Sequence, residues 1–185
     1  MSTPPVLSQR IILVTGAGAG IGRAAALAYA AAGATVILLG RTVSKLESVY
    51  DEIIAAGGAE PGIVPMDLAG TTPAEIQQLA EVIDQRYGRL DGLLHNAAMA
   101  GKRVPVEVYD LNDWMRVMQV NFHAVFMLTR LLLPLLRASR DASLIFTSAD
   151  VSAVPEAYWG PYAVSKYAME GLAKLLAEEL ANTSG

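Results

Sequence analysis

The chain has 185 residues, 53% of them hydrophobic and 17% charged, with no cysteine and a formal net charge of −4. That length suits one domain, residues 1–185, with a sizeable core. The negative balance argues against a nucleic-acid or anionic-membrane surface, and the lack of cysteine excludes disulfides, thiolate metal sites and a cysteine nucleophile.

Ile11-Ile12-Leu13-Val14 is short, apolar and branched, as expected of a strand buried on both faces. A glycine-rich turn follows, then an Ala/Leu-rich helix over 23–32 that Gly33 ends. Residues 35–39 read as the second strand and 43–56 as a helix closed by Gly57-Gly58. The third strand, 63–66, contains Pro65, which cannot donate to a ladder and so marks an edge. Thr72-Pro73 opens a helix to about Tyr87, and Leu90 to His95 is the fourth strand. A long helix over 111–139, bent at Pro134, precedes a fifth strand at 144–147. Gly160-Pro161 opens the last helix, which runs to about Ala181.

Strands alternating with helices predict a parallel, doubly wound α/β sheet of Rossmann type. In the order 3-2-1-4-5-6 the third strand lies at an edge, which agrees with Pro65. The chain stops where a sixth strand is due. Either the sheet ends after strand five and its helix, or the domain is C-terminally incomplete; an exposed strand-five edge favours the second. The most apolar run, 124–136, contains Arg130 and Pro134 and is too short to span a bilayer. The start Met-Ser-Thr-Pro-Pro lacks the pattern of a secretory leader. A cytoplasmic protein without membrane or nucleic-acid contact is expected.

The turn after the first strand carries Gly16, Gly18, Gly20 and Gly22 within Val14-Thr15-Gly16-Ala17-Gly18-Ala19-Gly20-Ile21-Gly22. Glycine there allows positive φ and close approach of a ligand to the main chain. Free N–H groups at the following helix start attract an anion such as a pyrophosphate. The spacing is Gly-x-x-x-Gly-x-Gly rather than the common Gly-x-Gly-x-x-Gly. By itself such a turn also serves for tight helix–strand packing. Tyr162 and Lys166 stand four apart at the start of the last helix, on one face. A neighbouring ammonium favours a phenolate, and a tyrosine so tuned donates or accepts a proton near neutral pH.

The glycines at 16, 20 and 22, His95-Asn96-Ala97-Ala98 after strand four, Asn121 in Val120-Asn121, Ser148 ending strand five and Tyr162-x-x-x-Lys166 occur in this order. Together they resemble the short-chain dehydrogenase/reductase family, from roughly residue 9 to 182, and look closest to bacterial members of unsettled substrate. The resemblance implies roles. Tyr162 would exchange a proton with a carbonyl or alcohol; Lys166 would activate it and bind the nicotinamide ribose. Ser148 would hold the substrate oxygen, and Asn121 would fix a water in a relay to Lys166. Gly16, Gly18, Gly20, Ile21 and Gly22 would cradle the pyrophosphate, Asn96 would approach the cofactor, and Asp67 with Leu68 would face adenine. Plainer readings stay open: a helix-interior Asn121 bonded to backbone, a turn-capping Asp67, a packed His95.

Two departures matter. Ala98 replaces the family's glycine after Asn-Ala. The family's serine usually stands thirteen residues before the tyrosine, where this chain has Ala149; Ser148 is one residue off, and Ser152 or Tyr162 alone are alternatives. Cofactor choice follows from the end of strand two. NAD-dependent relatives place an acid there for the ribose 2′-hydroxyl. Gly40-Arg41-Thr42 offers a guanidinium instead, suited to a 2′-phosphate. NADP(H) is therefore expected over NAD(H), with no metal. The expected activity is interconversion of a carbonyl and a secondary alcohol by hydride transfer. The rivals are a nucleotide-binding protein of the same fold without turnover, and a nucleotide-sugar epimerase or dehydratase. Helices 111–139 and 161–181 are apolar on most faces, and a homodimer or homotetramer through them is expected.

Overall fold

The structure is a computed structural model that describes residues 5–181. Five parallel strands form one sheet in the order β3-β2-β1-β4-β5. They are β1 (Ile11–Thr15), β2 (Thr35–Gly40), β3 (Gly62–Pro65), β4 (Gly92–His95) and β5 (Ser143–Phe146). The helices are α1 (Gly20–Ala31), α2 (Val43–Ala55), α3 (Pro73–Tyr87), α4 (Leu111–Met118), α5 (Ala124–Arg137) and α6 (Gly160–Ala181). β3 is an edge, as Pro65 requires, and pairs Pro65 with Gly40.

Alternation along the strands divides the core into two layers. Leu13, Ile37, Leu39 and Leu93 face one side with α3 and α5. Ile12, Val14, Val36, Leu38 and Leu94 face the other with α1 and α2. Both faces are covered, so the central strands read as unbroken apolar runs. Chain punctuation is local and strong. Thr72 and Glu75 make a reciprocal capping box at α3, and Gly88 ends that helix at φ 68°.

The long helix differs from expectation. Pro134 lies inside α5. A π-helical segment, Gln119–His123, separates α4 from α5 and holds Asn121 at its centre. Leu111–Arg137 is, by length and composition, apolar enough to cross a membrane. Its apolar side is used otherwise: Ala124, Leu128 and Leu132 are fully buried in the core against the sheet. α6 packs on α4 and on the π-helical segment. β5 is the second edge of the described sheet, with Ile145 half-exposed.

Candidate active site

The carboxyl ends of β1, β2, β3 and β4 open onto a cavity of about 560 Å³. Gly16, at φ 68°, leaves β1 and turns into α1. A Cβ on Gly22 would lie 2.3 Å from the Gly16 carbonyl oxygen and 2.5 Å from Asn96 Nδ2. The turn is therefore held tight by the absence of side chains, and only glycine fits at 22. α1 begins at Ala19 and Gly20 without a side-chain cap and without an acid in its first turn. Its leading N–H groups stay available to an anion.

Thr15 fixes the opposite wall. Its hydroxyl accepts from the backbone N–H of Asn96 at 2.9 Å and of Ala97 at 3.0 Å. Asn96 Nδ2 donates to the Thr15 carbonyl at 3.2 Å. The end of β1 thus holds the loop after β4 beside the glycine turn. Gly16, Gly18, Arg41, Asp67, Leu68 and Asn96 all line the cavity. Gly20, Ile21 and Gly22 stand beside it in the first turn of α1, with Ile21 exposed. Lys45 lines it too, adding a second cation to Arg41. The Asp67 carboxylate accepts from the Ala69 N–H at 3.1 Å, so it also caps its own turn.

Tyr162 and Lys166 meet at the start of α6. Lys166 Nζ lies 5.6 Å from the Tyr162 ring centroid and donates to the Thr147 carbonyl at 2.6 Å. Lys166 is almost wholly buried, and burial pushes its ammonium below the usual lysine range. Asn121 is buried and fully used. Its Oδ1 accepts from the Met99 N–H at 2.8 Å, while Nδ2 donates to the Met99 carbonyl at 2.9 Å and to Ser165 Oγ at 3.0 Å. It ties the loop after β4 to α6 one residue before Lys166.

Ser148 is engaged elsewhere. Its hydroxyl donates to the Glu170 carboxylate, one turn beyond Lys166, and lies 3.0 Å from Ser152 Oγ. Ser152 also reaches the same carboxylate and the Ala149 carbonyl. The Ser148 and Ser152 hydroxyls hold the Glu170 carboxyl below its usual range. His95 is a packed strand-end residue. Its ring stacks on Phe146 at 5.1 Å and sits 2.9 Å from Thr129 Oγ1. Because Thr129 donates to the Val125 carbonyl, it accepts from His95 Nε2–H, which leaves Nδ1 bare and unpartnered. Burial pushes His95 down to about 3.

A family model for short chain dehydrogenases matches residues 10–184. The chain is 50% identical over 174 residues to the uncharacterized oxidoreductase YciK of Escherichia coli K12, covering 94% of this chain and 69% of that one. The chain belongs to the short-chain dehydrogenase family. Among solved structures, a short chain dehydrogenase from Pseudomonas syringae superposes with a TM-score of 0.95 at 51% identity, covering 99% of this chain and 76% of that one. Another, from E. coli CFT073 and complexed with NADPH, gives 0.92 at 49% identity, covering 96% and 74%.

For a short-chain dehydrogenase, the unusual feature is at the end of β5. Ala149 has no hydroxyl, and those of Ser148 before it and Ser152 after it are bound to Glu170. Sequence reasoning missed Glu170, Lys45, Thr15 and Ser165. Lys45 had a signal, a cation one turn after Arg41 at the start of a helix. The others act through bonds across 18 to 82 residues, which no local pattern announces.

Proposed function

We propose that this chain is an NADP(H)-dependent oxidoreductase that interconverts a carbonyl and a secondary alcohol, in a single domain. The observation that carries the reading is the buried Lys166 beside Tyr162, held by Thr147 just past β5 at the same carboxyl end of the sheet as the glycine turn after β1. The glycine turn and the α1 N-terminus take the pyrophosphate, and Arg41 with Lys45 takes a 2′-phosphate. Asp67 and Leu68 face the adenine side. The NADPH complex of the E. coli relative supports this choice. When bound, the nicotinamide supplies and takes back the hydride.

The chain's own residues handle the proton. Tyr162 donates it to the carbonyl oxygen as hydride reaches the carbon, and accepts it in the reverse direction. Lys166, held by the Thr147 carbonyl, orients the ribose and stabilises negative charge on the phenol. Asn121 fixes the π-helical segment, the loop after β4 and α6 relative to one another, which supports a proton route ending at Lys166. The Ser148 hydroxyl donates its hydrogen bond to Glu170, so polarisation of the carbonyl rests on Tyr162. The test is a fluorescence titration with NADPH and NADH, followed by a carbonyl screen. NADPH is expected to bind at least about tenfold more tightly than NADH. Tyr162→Phe should abolish turnover while keeping NADPH binding. Turnover surviving in Tyr162→Phe would overturn the assignment.

Assembly belongs to the same proposal. Leu111 and Met115 on α4, Phe126 on α5 and Val164, Tyr167 and Leu175 on α6 are exposed apolar side chains. Their clustering on adjacent helices supports a homodimer or homotetramer through these helices. Light scattering should give a dimer or tetramer mass at micromolar concentration; a monomer would remove the pairing.

A further inference from the structure

We propose that Arg103 anchors an anionic group on the substrate, a carboxylate or a phosphate, a short distance from the reacting carbonyl; this rests on the oxidoreductase reading of Tyr162. The Arg103 guanidinium lies over the Trp159 ring, 3.8 Å from its centroid. Trp159 in turn packs on Tyr162, ring centroids 5.3 Å apart and planes inclined by 39°. A single indole thus links the guanidinium to the phenol. A guanidinium held over an aromatic ring by its carbon can still offer the fork of N–H donors that takes a carboxylate or phosphate with two bonds.

Three features show that this placement is built. Tyr158 takes φ 71°, a left-handed conformation that is strained for a non-glycine residue. Gly160 follows at φ 37°, where a Cβ would lie 3.1 Å from Tyr109 Cε2. The strained turn between them carries Trp159. On the other side, the Lys102 N–H donates to the buried Tyr109 Oη at 3.0 Å, and a Cβ on Gly101 would lie 2.4 Å from that oxygen. Arg103 therefore leaves a loop pinned at its neighbours.

The charge is also unspent. Lys102 is paired with Asp113, and Lys166 is buried on the Thr147 carbonyl. The nearest acid in sequence to Trp159, Glu156, accepts from the indole N–H at 2.7 Å. Among the described residues no carboxylate forms an ion pair with Arg103. An exposed cation held on an aromatic face beside the proton donor, with no ion pair to a carboxylate among the described residues, is completed by a negative charge on the ligand.

The experiment uses the full chain with NADPH and matched pairs: straight-chain 2-, 3- and 4-oxo acids against their methyl esters, and dihydroxyacetone phosphate against dihydroxyacetone. The charged member of at least one pair should be reduced with the higher kcat/KM, and which pair responds tells carboxylate from phosphate. Arg103→Gln should lower the charged-to-neutral ratio of kcat/KM by ~10- to 100-fold, the loss appearing in KM, and Arg103→Lys should restore part of it. Neutral members reduced as well as charged ones, or a ratio unchanged by Arg103→Gln, would overturn the anion site. If NADPH binds and nothing is reduced, the oxidoreductase reading itself falls. The anion site is then decided by indole fluorescence: quenching by an oxo acid or the phosphate that Arg103→Gln abolishes supports it, and no quenching overturns it.

Discussion

Ala149 leaves the end of β5 without a hydroxyl where the family usually has one, and the structure explains why its neighbours do not substitute freely. Ser148 donates to Glu170, and Ser152 is buried against the Ala149 carbonyl and the same carboxylate. A serine proton committed to a carboxylate is withheld from a carbonyl oxygen that carries only partial charge. Installing a hydroxyl at 149 should add a donor for the developing oxyanion. Since one such donor is worth ~100-fold or more in other enzymes, Ala149→Ser should raise kcat by about tenfold or more, whereas Ser148→Ala should change it by no more than about twofold. Steady-state kinetics on one carbonyl decides the point; a larger loss in Ser148→Ala than gain in Ala149→Ser would return the role to Ser148. The spacing that exposed the problem was visible in the sequence. The Glu170 bond that gives it physical content was not, because strand end and helix meet only through the fold.

At the level of elements, the strands and helices were legible because each rule acted locally: branched apolar runs for strands, glycine at 33 and 88 as stops, Thr72-Pro73 as a start. The π-helical segment was not legible. Val120-Asn121-Phe122 reads as ordinary helix, and the partners that Asn121 bonds lie outside the segment. Asn121 satisfies both backbone groups of Met99 and the Ser165 hydroxyl, while Ser165 donates to the Tyr162 carbonyl. One amide side chain therefore joins the loop after β4, the interrupted helix and the first turn of α6. Asn121→Ala leaves the Met99 N–H and carbonyl without partners in a part-buried place. The expected cost is about 2–4 kcal/mol in urea denaturation at fixed protein concentration. If stability falls by less than ~1 kcal/mol, the segment is held by packing rather than by this network.

For the whole molecule, the acid limit of stability follows from His95 at the end of β4, an interior strand of the sheet. Its folded value, about 3, lies below the ~6.5 of an unfolded histidine. The unfolded chain therefore binds the proton first as pH falls. The stability contributed by the neutral buried ring is fully present above about pH 6.5 and is lost as pH drops from there toward 3, at up to ~1.4 kcal/mol per pH unit. Glu170 and Glu75, held below their usual range by serine hydroxyls and by the Thr72 cap respectively, also lose stability in acid, but only below about pH 4.5. The interval from pH 7 to pH 5 thus isolates the histidine. Urea unfolding should show a loss of about 2 kcal/mol across it. His95→Gln keeps a donor for Thr129 and has no proton to gain, so its stability, whatever its absolute value, should be nearly flat over the same interval. An equal slope in both proteins would mean that the ring is reached by water in the folded state. The stack on Phe146 and the bond to Thr129 would then be weaker barriers than their geometry indicates.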